Sequence, residues 1–397
     1  MSVKMGVGVS SQADVVAAGH EAAGEVISHL GGRRPDLVFV FCSIRFANPR
    51  MLKAVRSVTG EAPLVGCTDA GGIITAGPKR RSVTVIGLLM KDCACVTAIE
   101  LHLSIAPRAA GERLAAALMR QAGLAGREAL RDPRCVLVFP DGLTASGSEV
   151  LSGIDKKLAP NVLVAGAMAA DDLFFQRTFQ FYNDEILTDS LPGVLLCGDL
   201  KVGIGVRHGW VPVGRPRRVT RSSGNVVYQL DRRPAVSIYE DYLGLKRAEL
   251  TQESLASVTL TYPLGTEVPG QPEYLLRDAI RVGQAGSLIC TGDILQGSDV
   301  RLMIGGYESA LEAAQQAACD ATDQLKGARL TGALVFCSVA RQKMLGSEFQ
   351  GEIDVIRDAL GGAGVRLGGF YSYGELASAS QSRPVFQSES VVVVAFG

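Results

Sequence analysis

The chain has 397 residues, a length typical of two or three domains. Lysine plus arginine and aspartate plus glutamate both number 40, so the formal net charge is zero and the basic excess of a general nucleic-acid-binding protein is absent. Apolar runs such as 391–396 are far shorter than the ~20 residues that span a bilayer, and the N-terminus lacks the apolar segment of a signal peptide. We therefore expect a soluble, cytoplasmic protein with no nucleic-acid partner and no membrane insertion.

A block of similar sequence occurs three times along the chain. Each copy begins with an apolar strand that ends in a polar break, and it continues through a helix to a second apolar segment that runs into glycine. The first segments are LVFVFCS (37–43), CVLVFPD (135–141) and GALVFCS (332–338). The second segments are PLVGCTDAGGI (63–73), NVLVAGAMAADD (161–172) and VRLGGFYSYGEL (365–376).

The sequence around each block predicts the same flanking elements. A strand and an amphipathic helix precede the blocks, and at least one further strand follows each. Continuous apolar strands are typical of sheets covered on both faces. We therefore predict a layered α/β fold with mixed sheets, built from three repeated strand–helix–strand–helix–strand–strand units. The preceding pairs are at 1–30, 94–122 and 299–327, and the following strands are at 82–90, 192–206 and 390–396.

Residues 207–285 interrupt this pattern. Residues 219–230 are predicted to form a hairpin that turns at Ser223-Gly224-Asn225. Residues 234–245 are predicted to form a helix, and 262–286, rich in proline and glycine, are the loosest stretch. We place a domain boundary near 210. The domain 1–210 then holds two units, and the domain 211–397 holds an insertion, 211–285, and the third unit.

Glycine is over-represented and cysteine is scattered. The 46 glycines are about 12% of the chain against a usual ~7%, and many lie in the turns after the repeated strands, where backbone can approach a ligand closely. None of the nine cysteines has the spacing of a zinc site, and we expect all nine to be reduced and structural. We expect no metal and no other cofactor.

The third turn, GGFYSYGEL, carries the most distinctive side chains. On one strand, Tyr371, Tyr373 and Glu375 would share a face and offer two aromatic walls and a carboxylate to a ligand with an ammonium or amide group. Arg341, after the preceding strand, could hold a ligand carboxylate. Gly374 and Cys337 complete this predicted ligand-binding set. The alternative is that Arg341 and Glu375 pair with each other and that the tyrosines are ordinary sheet residues; both interpretations stay open.

The other two turns supply secondary candidates. Asp141 and the adjacent pair Asp171 and Asp172 could hold a metal or act in acid–base chemistry, although aspartates at strand ends are more often caps or turn formers. Gly66 and Cys67 lie in the first turn, where Cys67 is a possible nucleophile. A hydrolase is therefore one alternative function, but nothing in the sequence pairs a nucleophile with a base.

At these turns the chain resembles the FIST family, named for F-box and intracellular signal transduction. The resemblance covers nearly the whole length, FIST-N followed by FIST-C. Two positions depart from the family pattern: Gly72 stands where a glutamate is common, and Ala167 where a second glycine is usual. The segments that carry the resemblance are VGCTDAGGI, FPDGL with VAGAMAADD, HGWVPVG, VTRSSGNVVYQLDRRPAVSIYEDYLG and GFYSYGEL.

The resemblance implies a stand-alone sensory protein. It would bind a small polar ligand, with an amino acid as one candidate, and would regulate a separate histidine kinase, chemoreceptor or cyclic-nucleotide enzyme. On this view the protein is not an enzyme. Some relatives are haem proteins that sense nitric oxide, so haem is an alternative cofactor, and His208 is the candidate iron ligand.

Overall fold

The computed structural model describes residues 3–124, 126, 128–245, 249, 252–267, 273–378 and 383–397. No helix within these ranges is both long and apolar enough to cross a bilayer. The α-helices are α1 (Val15–His29), α2 (Pro49–Thr59), α3 (Pro107–Leu124), α4 (Gly147–Asp155), α5 (Ser237–Leu243), α6 (Gln252–Thr261), α7 (Tyr307–Asp323), α8 (Val339–Leu345) and α9 (Gln350–Ala359).

The strands alternate with these helices along the chain. In the first half they are β1 (Val3–Ser10), β2 (Leu37–Ser43), β3 (Leu64–Asp69), β4 (Gly72–Ile74), β5 (Gly77–Lys79), β6 (Val83–Met90), β7 (Cys93–Leu101), β8 (Pro133–Val138), β9 (Leu163–Ala167), β10 (Gln180–Tyr182), β11 (Glu185–Leu187), β12 (Ser190–Gly198) and β13 (Val202–Arg207). In the second half they are β14 (Val211–Ser223), β15 (Val226–Leu230), β16 (Arg233–Pro234), β17 (Leu264–Thr266), β18 (Leu275–Arg277), β19 (Ala279–Val282), β20 (Leu288–Cys290), β21 (Asp299–Ile304), β22 (Gly332–Ser338), β23 (Leu367–Ser372), β24 (Glu375–Ser378), β25 (Pro384–Gln387) and β26 (Val391–Phe396).

Three six-stranded sheets share one strand order. The orders are β1-β6-β2-β3-β10-β11, β7-β12-β8-β9-β24-β25 and β13-β26-β22-β23-β4-β5. In each sheet the two central strands are parallel and the other neighbours are antiparallel. The fold is therefore the layered α/β class with mixed sheets that the sequence predicts. We call residues 3–90 the first unit, 93–198 the second, and 202–207 with 307–397 the third.

Each unit lends a short hairpin to the sheet of another. The hairpin β4–β5 of the first unit pairs with β23 of the third, β10–β11 of the second pairs with β3 of the first, and β24–β25 of the third pairs with β9 of the second. The exchange is cyclic, so every sheet is completed by a neighbouring unit. The sequence did not predict these hairpins as separate strands.

A glycine allows close approach within each parallel pair. A Cβ placed on Gly66 would lie 1.8 Å from the carbonyl oxygen of Val40, which is closer than any real contact. The same relation holds for Gly166 and Val138 at 1.9 Å, and for Gly369 and Val335 at 1.8 Å. The backbone of the neighbouring strand therefore excludes a side chain at all three positions.

The three sheets enclose one apolar core, and helices cover their outer faces. Side chains alternate along β2: Phe39 and Phe41 point into the shared core, whereas Val38 and Val40 pack under the helices of the first unit. The centre is filled by aromatic rings whose centroids lie 4.4–6.3 Å apart. These rings are Phe39, Phe41, Phe139, Phe336 and Phe370.

The interruption in the third unit forms a fourth sheet. The predicted hairpin is confirmed as β14–β15, and the predicted helix as the shorter α5. One element is corrected: the strand expected to open the third unit, β21, pairs with β14 and β17 in this fourth sheet. The first strand of the third unit is instead β13, which pairs with β26. Part of the predicted loose stretch, 268–272, lies outside the described residues.

Replacing Gly369 with alanine tests the close approach. We expect Gly369→Ala to destabilise the protein by about 3 kcal/mol or more, since overpacking against rigid backbone cannot be relieved by rotating a side chain. Chemical denaturation measures the loss. Gly364→Ala is the matched control, because a Cβ there meets nothing within 4 Å. Equal stability of the two variants would refute the steric explanation.

Candidate functional site

The carboxyl ends of the three parallel pairs meet in a ring of backbone. The segments 68–72, 168–172 and 371–375 follow β3, β9 and β23, and each is hydrogen-bonded to the other two. We call this the crossover ring. The bonds that join its segments, donor first, are Ala70 N to Tyr371 O (3.0 Å), Tyr371 N to Gly71 O (2.8 Å), Met168 N to Gly374 O (2.8 Å), Tyr373 N to Met168 O (3.4 Å), Ala170 N to Thr68 O (2.9 Å) and Asp172 N to Asp69 O (3.1 Å).

A cavity of about 510 Å³ opens beside this ring, and all three units contribute to its wall. We call it the arginine cleft. A second cavity, of about 490 Å³, adjoins it through the shared residues Arg80, Leu173 and Gln342 and includes Lys343 and Phe349. Both volumes fit a small ligand. The arginine cleft is lined by Ser43, Ile44, Arg45, Ala70, Arg80, Arg81, Asp172, Leu173, Phe174 and Gln342.

A hydroxyl and a carboxyl group form the acidic side of the cleft, and a second carboxyl group is buried behind them. The Ser43 hydroxyl donates to Asp172 Oδ2 at 2.6 Å. Burial raises the pKa of Asp172, while Ser43 and the Arg81 guanidinium act in the opposite direction. Asp69 is fully buried beside them; one of its oxygens accepts from the Gly71 amide at 2.9 Å. Burial also raises the pKa of Asp69 well above its usual range. These groups can accept or share a proton.

Three exposed guanidinium groups form the basic side. Arg45 follows β2, and Arg80 and Arg81 lie in the turn between β5 and β6. Aromatic rings position two of them: the guanidinium of Arg80 lies 5.1 Å from the centre of the Phe349 ring, and that of Arg45 lies 4.8 Å from the ring of Phe46. Within the described part of the chain, none of the three arginines forms an ion pair.

The remaining wall has one free amide and a strained loop. Gln342, in the first turn of α8, is 7% exposed, and its side chain makes no hydrogen bond among the described residues. Opposite it, Asp172, Leu173 and Phe175 have positive φ angles of 54°, 70° and 52°, an unfavourable conformation for these residue types. Strained backbone is often concentrated at functional sites.

Asp171 holds that loop and is not exposed to a ligand. Its oxygens accept from the amides of Phe175, Gln176 and Arg177 at 2.7–2.9 Å and from the hydroxyl of Tyr373. The side chain is fully buried. The geometry therefore fits the turn-forming interpretation of this aspartate. Both of its carboxylate oxygens already accept hydrogen bonds from the protein.

Asp141 has the same kind of structural role. It accepts from the amides of Leu143, Thr144 and Asp189 at 2.9–3.2 Å. Cys67 is fully buried, and burial raises the pKa of its thiol, so the reactive thiolate is disfavoured. The glycine beside it, Gly66, is required by strand packing. These four secondary candidates do not assemble into a nucleophile and base.

Arg341 does not face a ligand site, which corrects the sequence-based assignment. Its side chain is fully buried, with Nε donating to Glu352 at 2.5 Å. One terminal nitrogen donates to the carbonyl of His208 and the other to that of Ala310, at 2.8 Å for Ala310. The alternative pairing with Glu375 is also wrong, because the ion-pair partner is Glu352. The guanidinium therefore ties α8 to α7, α9 and the start of the insertion.

The residues of the third turn do not share one face. The chain leaves β23 at Ser372 and enters β24, in another sheet, at Glu375. Tyr371 is fully buried beneath Phe349, whereas Tyr373 stacks on Phe175 with ring centres 4.5 Å apart. The predicted pair of aromatic walls is therefore absent from this turn.

Glu375, Gly374 and Cys337 are also enclosed by protein. Glu375 is fully buried; Ser372 and Ser390 donate hydroxyl hydrogen bonds to it at 2.6 and 2.7 Å. A Cβ on Gly374 would lie 2.6 Å from the Phe386 ring. Cys337 lies within β22, and burial raises the pKa of its thiol. The set predicted from the third turn supports the fold and does not line the arginine cleft.

His208 does not fit the role of an iron ligand. Its Nδ1 accepts from the Trp210 amide at 2.9 Å, and burial lowers the pKa of the ring to about 3. The neutral ring therefore carries its proton on Nε2, which lies 3.5 Å from Glu273. An imidazole ligand needs a free lone pair, and neither nitrogen has one available.

The strand registers identify matching positions in the three units, and these positions differ in the first unit, which supplies the arginines of the cleft. Gln180 and Glu375 occupy matching hairpin positions and bind Ser190 and Ser390. The first unit has Gly72 at this position. A Cβ on Gly72 would lie 2.2 Å from the Thr84 hydroxyl oxygen, so no larger side chain fits.

A second set of matching residues precedes the last strand of each unit. Arg81, Asp189 and Glu389 all have positive φ, at 50°, 49° and 55°. Asp189 accepts from the Ser104 amide and hydroxyl at 2.7 and 2.8 Å. Glu389 is buried, and burial and the facing Asp278 of the insertion raise its pKa. Arg81 is exposed in the arginine cleft, so this position faces a cavity in the first unit.

Sequence motifs did not predict a role for Ser43, Arg45, Arg80, Arg81 or Gln342, and Asp172 was predicted only as the neighbour of Asp171 in a pair of acids. The polar break after the repeated strand marks Ser43, and the same turns mark Asp172. Arg80 and Arg81 lie in a turn that has no motif, and their approach to the cleft depends on the hairpin exchange. No signal in the sequence identifies that exchange.

Comparisons with known proteins give a consistent family match. The model of the FIST N domain matches residues 36–233, and that of the FIST C domain matches 235–378. An uncharacterized protein of Mycobacterium tuberculosis is 26% identical over 380 residues, which covers 94% of each chain. An uncharacterized protein of Methanocaldococcus jannaschii is 31% identical over 176 residues, 42% of this chain and 33% of that protein.

Solved structures show a weaker likeness. A cyanuric acid hydrolase from A. caulinodans is 10% identical with a TM-score of 0.39, over 100% of this chain and 99% of its own. A chorismatase is 9% identical with a TM-score of 0.36, again over 100% and 99%. Both scores are too low to support an inference about this chain.

The raised pKa of Glu375 makes the stability of the folded protein depend on pH. Burial raises the pKa of Glu375 to about 8 in the folded protein, against ~4.3 for an unfolded glutamate. The folded state therefore binds more protons between these values, and stability falls as pH rises through that range. Glu375→Gln should flatten this part of the curve, measured by denaturation from pH 5 to 9. Exposed Glu348→Gln should keep the original slope; equal slopes in both variants would contradict the prediction.

Proposed function

The chain belongs to the FIST family of signal-transduction sensory domains, and we propose that it is a cytoplasmic, non-enzymatic sensor that binds a small polar ligand in the arginine cleft. The ligand would be an amino acid. Its binding would regulate a separate output protein, which could be a histidine kinase, a chemoreceptor or a cyclic-nucleotide enzyme.

The observation that carries the proposal is the set of unpaired polar groups in the cleft. A guanidinium group without a carboxylate partner can bind a ligand carboxylate through two parallel hydrogen bonds. Asp172, already bonded to Ser43, can accept from an ammonium group. The free amide of Gln342 adds both a donor and an acceptor. The sequence predicted the same two contacts, with a ligand carboxylate and an ammonium, for Arg341 and Glu375; we assign them instead to the arginines of the cleft and to Asp172.

The position of the cleft also suits a sensor. Its wall combines Ser43 and Arg45 of the first unit, Asp172 and Phe174 of the second and Gln342 of the third. A ligand that contacts all three units can favour one arrangement of the units over another, and a partner can respond to that population shift. The strained loop at 172–175 is the element best placed to change with ligand binding.

The two alternative functions have weaker support. A haem sensor would need an iron ligand, and both nitrogens of His208 are engaged or protonated. A hydrolase would need an activated nucleophile, whereas Cys67 is buried and Asp141 and Asp171 bind backbone amides. We therefore favour the sensor, without haem or another cofactor and without catalysis.

Thermal-shift measurements with the common L-amino acids test the sensor proposal. At 100 times its Kd, a true ligand adds about 2.7 kcal/mol of stability and raises the Tm. Arg81→Gln and Asp172→Asn should each reduce the shift, because they remove groups assigned to the carboxylate and the ammonium. Arg120→Gln, an exposed arginine on α3, is the control that should keep it. The proposal fails if no amino acid raises the Tm or if both cleft variants keep the full shift.

A further inference from the structure

The arginine cleft carries more positive charge than a neutral amino acid can balance. Arg45, Arg80 and Arg81 line it, and exposed Lys343 lines the adjoining cavity. Among the described residues none of these four cations forms an ion pair. Asp172 is the one acid on the wall of the cleft. The excess is local, because the whole chain has a net charge of zero.

Some exposed arginines elsewhere in the chain meet a carboxylate: Arg113 lies 2.7 Å from Glu100, and Arg218 lies 3.3 Å from Asp299. Others, such as Arg120, form no ion pair with the described residues, and surface pairs of this kind add little stability. What distinguishes the cleft is that three arginines line one cavity. A ligand that supplies carboxylates would explain this arrangement.

The charge of Asp172 does not remove the imbalance. One carboxylate offsets only one of the three guanidinium charges that line the cleft. A zwitterion with one carboxylate and one ammonium has no net charge and leaves the excess in place. A ligand with a second carboxylate reduces it by one charge, at short range and partly shielded from water.

The arginines of the cleft come from two parts of the first unit. Arg45 extends from the end of β2, and Arg80 and Arg81 extend from the turn before β6. The rings of Phe46 and Phe349 hold two of these guanidinium groups. Leu173 and Phe174, 41% and 61% exposed, provide apolar surface for the methylene groups between two carboxylates.

We infer that the arginine cleft is selective for a small dicarboxylate that also carries an ammonium group, which is the class of acidic α-amino acids. The two carboxylates bind Arg45 and the Arg80–Arg81 turn, and the ammonium binds Asp172 and Ser43. This inference rests on the proposed ligand-binding function and adds the class of ligand. It also predicts that binding weakens with ionic strength, because the attraction is largely between charges.

Isothermal titration of the full chain with four probes tests the inference. L-glutamate should bind at least tenfold more tightly than L-glutamine, which lacks the second carboxylate. It should also bind at least tenfold more tightly than glutarate, which lacks the ammonium. Inorganic phosphate should bind more weakly than glutamate. Raising sodium chloride from 50 to 500 mM should weaken glutamate binding several-fold more than glutamine binding.

Variants assign each contact. Arg45→Gln and Arg81→Gln should reduce the preference for glutamate over glutamine to about twofold. Asp172→Asn should reduce the preference for glutamate over glutarate to about twofold. Arg120→Gln should preserve both ratios. If a variant does not fold, the two affinity ratios measured on the wild-type protein still test the inference.

The outcomes separate this inference from the sensor proposal. If glutamine binds as tightly as glutamate, the dicarboxylate class is wrong while the sensor proposal stands. If glutarate or phosphate matches glutamate, the ammonium contact is wrong and the site is a general anion site. If no amino acid binds, both proposals fail.

Discussion

The close approach of the two parallel strands in each unit is the constraint on which the other features depend. The carbonyls of Val40, Val138 and Val335 leave room for nothing but glycine on the facing strand. This tight pairing allows the inner faces of three sheets to meet on one cluster of phenylalanine rings. Because the centre is filled by side chains, polar groups gather at the carboxyl ends of the strands, where the crossover ring and the arginine cleft lie.

The sequence predicted the main elements of the fold because they depend on local patterns. The strands β2, β8 and β22 are continuous apolar runs, and each is followed by a helix and a glycine-containing strand. The short hairpins were missed because strands of three or four residues carry almost no periodic signal and their partners lie in other units. The sequence also could not place β13 and β21, two apolar strands of similar length, in their different sheets.

The candidate site was only partly accessible from sequence. The arginine cleft does lie beside glycine-rich turns at strand ends. The alternation of Tyr371, Tyr373 and Glu375, however, favoured the third turn, whose residues do not line the cleft. The chain bends at Gly374 and changes sheets there, so the alternation does not describe one strand. At the first turn, Gly72 stands where the family commonly has a glutamate. In the structure this glycine belongs to the one unit whose turn places an arginine at a cavity.

The cyclic exchange of hairpins has a consequence for how the protein is made. The hairpin β4–β5 leaves the ribosome early, yet the strand that receives it, β23, is synthesised almost last; the Leu367 amide and the Thr75 hydroxyl that meet there are 292 residues apart. The sheets of the second and third units cannot be completed until the end of the chain has been synthesised. Exposed strand edges must persist until the C-terminus emerges, and contacts this distant in sequence form slowly. The nascent chain is therefore a strong candidate for chaperone protection, and fragments cut at unit boundaries should aggregate.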